Sequence, residues 1–261
     1  MKLYHVDAFA TERFRGNPAA VLVLDAFPSD AFMLAVAQEN ALSETAYVVP
    51  QGSPGHYALR WFTPGTEVDL CGHATLASAW VLFHRLHETA PTIRFATRSG
   101  ELRVSRRPDG LLELDLPARR PVLIAGDPVS GALGAKAAVV LDSGAWYTAV
   151  FPSEADVRAL SPDFRAIAAL DRHGVLVTAP GDSVDFVSRC FAPAVGIDED
   201  PVTGSAHGDL TPYWAARLQR STLHARQVSR RGGDLHCRLD GDRVHIAGGV
   251  VPYLEGEIDD E

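Results

Sequence analysis

Two stretches of this chain occur twice. Arg60-Trp61-Phe62-Thr63-Pro64 returns as Arg189-Cys190-Phe191-Ala192-Pro193, and Cys71-Gly72-His73-Ala74 returns as Thr203-Gly204-Ser205-Ala206. The echoes are offset by 129 and 132 residues, so the second copy carries an insertion of three. In both copies a strand-like run ending in R-x-F-x-P leads through an acidic loop to a glycine and then to a largely apolar helical stretch. Chance supplies either match alone. Both together, in the same order and spaced by about half of a 261-residue chain, point to duplication of an α+β unit. Length agrees, since roughly 150 residues per domain leaves room for two small ones. Pro117-Ala118-Arg119-Arg120-Pro121 is the natural linker, being rich in proline and charge. It places an N-terminal domain at 1–117 and a C-terminal domain at 118–261, with the last strand free to return to the first domain.

Strands dominate the pattern. Short β-branched or alternating runs bounded by Gly, Pro or Asp read as strands over Leu3–Phe9, Ala19–Leu24, Thr45–Val49, Tyr57–Phe62 and Leu111–Leu116. In the second half the same signal falls at Ala138–Leu141, Trp146–Phe151, Val175–Thr178, Val184–Phe191, Leu235–Leu239, Val244–Ala247 and Gly249–Leu254. Helices are fewer. One is expected from Ser29 to Asn40 and one from Ser153 to Leu160, where Ser153 precedes Asp156 by three residues in the manner of a capping box. Two more, over His73–His87 and Ser205–Gln219, are each entered through a glycine, Gly72 or Gly204. Trp61, Trp80, Trp146 and Trp214 read as core.

Composition removes several functions. With 24 Lys and Arg against 33 Asp and Glu the net charge is -9, opposite to what neutralising phosphates requires, so no nucleic-acid partner is expected. The longest nearly apolar run, Ala74–Phe83, is half of what a bilayer-spanning helix needs, and the first seven residues already break a signal-like apolar run with charge. A chain not associated with membranes and a cytoplasmic location are expected. Cys71, Cys190 and Cys237 form no C-x-x-C pair and suit a reducing compartment. Neither a zinc signature nor a nucleotide or flavin motif is visible, so no metal and no cofactor is expected.

The acids and polar residues gather at the two glycine turns. A helix N-terminus presents unpaired N–H groups and a partial positive charge, and glycine lets a ligand approach them. If the halves are related by an approximate twofold axis, the turns at His73 and Ser205 face one cleft and together hold a small anion; the alternative is that each glycine merely permits a tight turn. Glu67, Asp69, Cys71 and His73 surround the first turn, and Asp198, Glu199, Asp200, Thr203 and Ser205 the second. Asp200 precedes Pro201, is biased to extended backbone, and is placed to accept a hydrogen bond from an imidazole, with helix capping as the other reading. Glu44 stands at the entrance of an apolar strand. Buried there, it is a proton carrier; solvated, it is only a strand end.

Four motifs, in order, resemble one family. Phe14-Arg15-Gly16-Asn17-Pro18-Ala19-Ala20-Val21, Ser43-Glu44-Thr45-Ala46-Tyr47, Leu70-Cys71-Gly72-His73-Ala74-Thr75 and Glu199-Asp200-Pro201-Val202-Thr203-Gly204-Ser205-Ala206 are similar to those of the phenazine biosynthesis PhzF-like isomerases. The resemblance implies a relative of diaminopimelate epimerase: α+β, with two pseudo-symmetric domains, each a β-barrel-like sheet around a central helix, and a homodimer. It implies catalysis by Glu44, His73 and Asp200, with Gly72, Gly204, Ser205, Cys71 and Thr203 around the substrate. The reaction it implies is a proton shift on a small carboxylate resembling dihydro-3-hydroxyanthranilate. Two other functions stay open at this point, an amino-acid epimerase or racemase and a metabolite-binding protein without turnover. The epimerase relatives use two cysteines, whereas this chain pairs Cys71 with Thr203, and a threonine is no thiol base.

Overall fold

The alternating and β-branched runs form strands, and the two glycine-entered stretches form the longest helices of their units. The computed structural model describes residues 1–259. The chain divides into two compact units, one of Met1–Asp115 with the segment from Ala247 onward, the other Leu116–Ile246.

In the first unit β1 (Lys2–Ala8) and β2 (Asn17–Val23) are followed by α1 (Asp30–Asn40), β3 (Glu44–Pro50), β4 (His56–Phe62), β5 (Glu67–Val68), α2 (Gly72–His84), β6 (Thr92–Thr97), β7 (Gly100–Arg106) and β8 (Leu112–Pro117). The second contains β9 (Val122–Leu123), α3 (Ser130–Leu133), β10 (Val139–Asp142), β11 (Trp146–Val150), α4 (Glu154–Ala159), α5 (Phe164–Ala168), β12 (Gly174–Pro180) and β13 (Phe186–Ala192). It continues through β14 (Ile197–Asp200), α6 (His207–Leu218), β15 (Thr222–Gln227), β16 (Gly233–Asp240) and β17 (Arg243–Gly248). The last strand, β18 (Val250–Glu257), pairs antiparallel with β1.

The two units repeat one order of pairings. In the first, β1 and β2 are antiparallel, β2 and β3 parallel, β3 and β4 antiparallel, β4 and β5 antiparallel, β4 and β6 parallel, β6 and β7 antiparallel. In the second the same six relations hold for β10 with β11, β11 with β12, β12 with β13, β13 with β14, β13 with β15 and β15 with β16. The R-x-F-x-P echo does the same work in each. Arg60 grips Glu67 with Nε at 2.8 Å and Nη2 at 2.6 Å, and Arg189 grips Glu199 at 2.7 and 3.0 Å. Each guanidinium also lies over the motif's own phenylalanine, 5.3 Å from Phe62 and 4.8 Å from Phe191. A 3-10 turn at Pro193–Val195, closed by Gly196 at φ 88°, takes up the extra residues.

Helix α2 is the core of the first unit. Every residue from Gly72 to Phe83 is buried, as expected of a helix that is apolar all round. Its hydroxyls are accommodated by bonding back one turn, Thr75 Oγ1 to Cys71 O at 2.5 Å and Ser78 Oγ to Ala74 O at 2.7 Å. Strands β1, β2, β3, β7 and β18 pack on it. No helix among the described residues is long and apolar enough to cross a membrane.

Several expectations need correction. The second glycine turn does not open its helix directly: Gly204–Ala206 form tight turns, with His207 N bonded to Gly204 O and Gly208 N to Ser205 O, and the regular helix starts at His207. The first helix ends at His84 rather than His87. Strands β5, β6, β7, β9, β14 and β15 and helices α3 and α5 add to the elements expected. Trp61 and Trp214 are 1% exposed, whereas Trp146 is only half-buried against His173. Ser29 and Ser153 cap α1 and α4 as their sequences imply.

The Pro117–Pro121 stretch is not a loose linker. Pro212 inside α6 has no N–H, which leaves the carbonyl of Gly208 without its helical donor, and the Arg119 N–H supplies it at 3.0 Å. The Arg119 guanidinium then binds Asp209, which is fully buried, through Nε at 3.1 Å to both oxygens and Nη2 at 2.8 Å, and donates to Ser205 O at 2.9 Å. Arg119→Ala is expected to leave Asp209 as an uncompensated buried charge and to cost roughly 3 kcal/mol of stability, read from a urea denaturation curve. A loss within experimental error of zero contradicts this account of the linker.

Candidate active site

Asn17 and Glu44 open two neighbouring parallel strands, β2 and β3, so both side chains emerge at the same end of that pair. The turn before β2 requires glycine at position 16, where φ is +67° and a Cβ would stand 2.2 Å from Ala8 O. Into this corner α2 delivers His73 from its first turn. The Glu44 carboxylate Oε2 lies 3.1 Å from His73 Nε2, and Nδ1 on the other side of the ring lies 3.1 Å from Asn17 Nδ2 and 3.5 Å from Cys71 Sγ. All four residues are buried, Asn17 completely. Glu44 is therefore no solvated strand end.

The electrostatics follow from burial and proximity. Burial by itself disfavours an imidazolium at His73, but Cys71 and Glu44 outweigh it and hold the ring's pKa well above the usual histidine value. Burial, reinforced by the charge of Glu44, pushes the Cys71 thiol up to about 11, so it is protonated at neutral pH. Glu44, Cys71 and His73 are also the one group of possible metal ligands among the described residues with donor atoms all within 4.8 Å. Their geometry suits a proton relay better, because the two ring nitrogens are turned to different partners, Nε2 to the carboxylate and Nδ1 to the thiol. Zinc also takes a thiolate, which this environment opposes. Above the ring, Cys71 starts α2 in extended backbone at φ -142° and makes no side-chain cap, and the first helical bond is Thr75 N to Cys71 O. The Ala74 amide is turned to the Cys71 sulfur, and the amides of Gly72 and His73 are the first-turn donors open to an anion.

The second unit gathers the other candidates. Asp200 ends β14 in extended backbone, 8% exposed, and accepts the Thr203 hydroxyl at 2.5 Å. The loop it begins is held by groups that sequence reasoning missed. Gln227, fully buried in β15, donates to Asp200 O at 2.7 Å and accepts from Thr203 N at 2.9 Å. His207 sits 2.9 Å from Thr203 O through Nδ1, and burial lowers its pKa to about 4, so it is a neutral donor to that carbonyl. Gly204 and Ser205 continue this loop, with Ser205 O held by Arg119. Glu67 and Glu199, placed near the turns by sequence, are taken by Arg60 and Arg189. The sequence reading paired His73 with Asp200; the acid beside His73 within its own unit is Glu44.

Register makes the two units comparable residue by residue. Phe62 faces Thr45, and Phe191 faces Val175, so the counterpart of Glu44 is Gly174. A side chain is excluded there, since a Cβ on Gly174 would lie 2.0 Å from Phe191 O. Trp61 faces Val68 and Cys190 faces Asp200, so the counterpart of Asp200 is Val68. Cys71, Gly72 and His73 correspond to Thr203, Gly204 and Ser205. One unit thus carries the carboxylate and imidazole pair, and the other carries a different acid.

Comparisons with known proteins identify the family to which a chain with this fold belongs. Residues 6–256 match the family described as phenazine biosynthesis-like protein, PhzC-PhzF. The chain is 51% identical over 259 residues to an uncharacterized isomerase of Pseudomonas aeruginosa, covering 99% of this chain and 98% of that one. Among solved structures, a PhzF-family phenazine biosynthesis protein of Enterococcus faecalis superposes with a TM-score of 0.94 at 48% identity, covering 99% and 98%. A predicted epimerase of Pseudomonas aeruginosa, at 20% identity, 98% coverage of both chains and a TM-score of 0.78, shares the fold. The chain belongs to the phenazine biosynthesis-like PhzC-PhzF family, and it is an enzyme of the isomerase class.

Two outcomes follow from the electrostatics. Because the folded His73 value lies above that of an unfolded histidine, protonation of the ring favours the fold, fully below about pH 6.5 and progressively less as pH rises through the folded value. Glu44→Gln is expected to move the His73 midpoint to lower pH in an NMR titration, and an unmoved midpoint contradicts the pairing. Cys71, 5% exposed with its thiol pushed up, is expected to resist iodoacetamide at pH 7 in the native protein and to react after unfolding, as read by mass spectrometry.

Proposed function

We propose that this chain is a cofactor-independent isomerase that shifts a proton within a small, unsaturated carboxylate substrate resembling dihydro-3-hydroxyanthranilate. The observation that carries this reading is the buried Glu44–His73 pair at 3.1 Å beside an uncapped helix N-terminus. Glu44, as carboxylate, takes a proton from a carbon of the substrate while the electron pair of that C–H bond moves into the conjugated system. The same group then returns the proton to a second carbon, so bonds and charge balance without an oxidant. His73 holds the carboxylate in place through Nε2, which keeps the base aimed and charged until it takes the proton. The Gly72 and His73 amides at the start of α2 take the substrate carboxylate.

The repeated pairing order is read here as a duplicated unit giving two pseudo-symmetric domains. In that reading Asp200, Thr203, Gly204 and Ser205 supply the remaining substrate contacts, and Cys71 lines the site as a protonated thiol. The alternative, a two-base amino-acid epimerase, draws on the fold it shares with the predicted epimerase, but the counterpart of Cys71 is Thr203, which offers no second thiol base. A single carboxylate fits removal and return of the proton by one group.

The test is incubation with dihydro-3-hydroxyanthranilate and related carboxylates in deuterium oxide. Deuterium is expected at one carbon of the isomerised product, and Glu44→Gln is expected to lower the rate by at least about 100-fold, the lower range for a general base. Unchanged turnover in Glu44→Gln removes Glu44 from the mechanism, and inversion of a stereocentre that is abolished by Cys71→Ser establishes the epimerase alternative.

A further inference from the structure

Asn17 is completely buried, and its amide Nδ2 stands 3.1 Å from His73 Nδ1. In the neutral ring Nδ1 accepts from that amide, and the one ring proton sits on Nε2, 3.1 Å from Glu44 Oε2. A ring charged on both nitrogens needs an acceptor facing Nδ1, where the Cys71 sulfur stands at 3.5 Å and the Asn17 amide stands closer. Few side chains serve both states. An aspartate at position 17 would accept from Nδ1–H and hold the ring charged, and a leucine would serve neither state. An asparagine serves both, because its O and NH2 ends are nearly the same size and exchange by rotation about the terminal torsion.

We infer that Asn17 is a positioning residue that lets His73 gain and lose its proton without moving, presenting N–H to Nδ1 of the neutral ring and its carbonyl oxygen to Nδ1–H of the charged ring. The placement supports this. Asn17 opens β2, fixed from behind by the Gly16 turn, and Glu44 opens the parallel strand β3, so the ring is held between an amide and an acid set by one strand pair. Cys71 at the turn into α2, 3.5 Å from Nδ1, is a protonated thiol at neutral pH. On the elements packed against α2, Asp7 of β1 accepts from Phe14 N at 3.2 Å, and Arg85, at the far end of α2, pairs with Glu255 of β18. Glu44 is then the carboxylate that competes for the ring's proton, and a neutral amide on the opposite side leaves that competition even. Second-unit positions offer no analogue of this trio, since Ser205 stands where the first unit has His73 and Gly174 where it has Glu44.

The inference deepens the proposed reaction and rests on it only for the use of the ring's proton in turnover. The experiment needs no substrate, so it stands or falls separately. Full-length protein labelled with 15N-histidine is titrated by NMR, with the His73 signals assigned by their loss in His73→Gln. Asn17→Asp, nearly isosteric, is expected to raise the His73 midpoint by about 1 to 3 pH units, the usual effect of an opposite charge at this distance. Asn17→Ala, which removes the nearer acceptor for Nδ1–H and leaves only the weakly accepting Cys71 sulfur at 3.5 Å, is expected to lower it. A purely structural role would lower the melting temperature in both variants and leave the midpoint in place. Midpoints unchanged in both, or moved in the same direction, overturn the inference, and the two variants' melting curves show whether each is folded at the temperature of the titration.

Discussion

Burial of α2 is the constraint from which the first unit follows. A helix apolar on every side has to be covered on every side, and β1, β2, β3, β7 and β18 provide the cover. This explains why the chain's last strand returns to pair with β1. The cost of burying Thr75 and Ser78 is removed by their bonds to carbonyls one turn back, so only the start of the helix remains polar. There His73 and Cys71 meet the ends of β2 and β3. The polar site is the one corner of the core that the helix cannot satisfy by itself.

The second unit meets a related problem differently. Its helix α6 contains Pro212 and a fully buried Asp209, both of which would be liabilities in isolation. Arg119 answers both at once, its N–H completing the carbonyl that proline leaves open and its guanidinium neutralising the acid. The segment entering the unit thereby fixes Ser205 O, while Gln227 and His207 fix Asp200 and Thr203. Rigid support of this kind is what places a polar loop within the narrow tolerances that catalysis requires.

Comparison of the two units by strand register shows how a repeated framework is specialised. Both retain the Arg and Glu clamp that ties the R-x-F-x-P strand to its returning acid, an interaction that shapes the turn before each central helix. The reactive groups are not repeated. Glu44 is opposed by a glycine that cannot be changed because Phe191 O fills the space, and Asp200 by a valine. The order of strand pairings is shared by the two units, and the reactive side chains differ between them.

By itself the sequence determined the internal repeat, most of the strands, the two capped helices, and the identity of Glu44, Cys71 and His73 as candidates, because motifs, alternation and capping are local and each leaves a pattern in neighbouring residues. Strands β6 and β7 leave little pattern because Arg94, Glu101 and Arg103 sit among their apolar positions and dilute the alternation. Asn17 stood inside a family motif without an assigned role, and Gln227 and His207 carried no signal, since a neutral side chain acquires its function from what it faces. Only the tertiary structure decided that Glu44 is buried against His73, that Asn17 stands on the ring's other side, and that the apparent linker completes a helix. Each of these joins residues distant in the chain through hydrogen-bond geometry of about 3 Å, a scale set by packing and written in no single stretch of sequence.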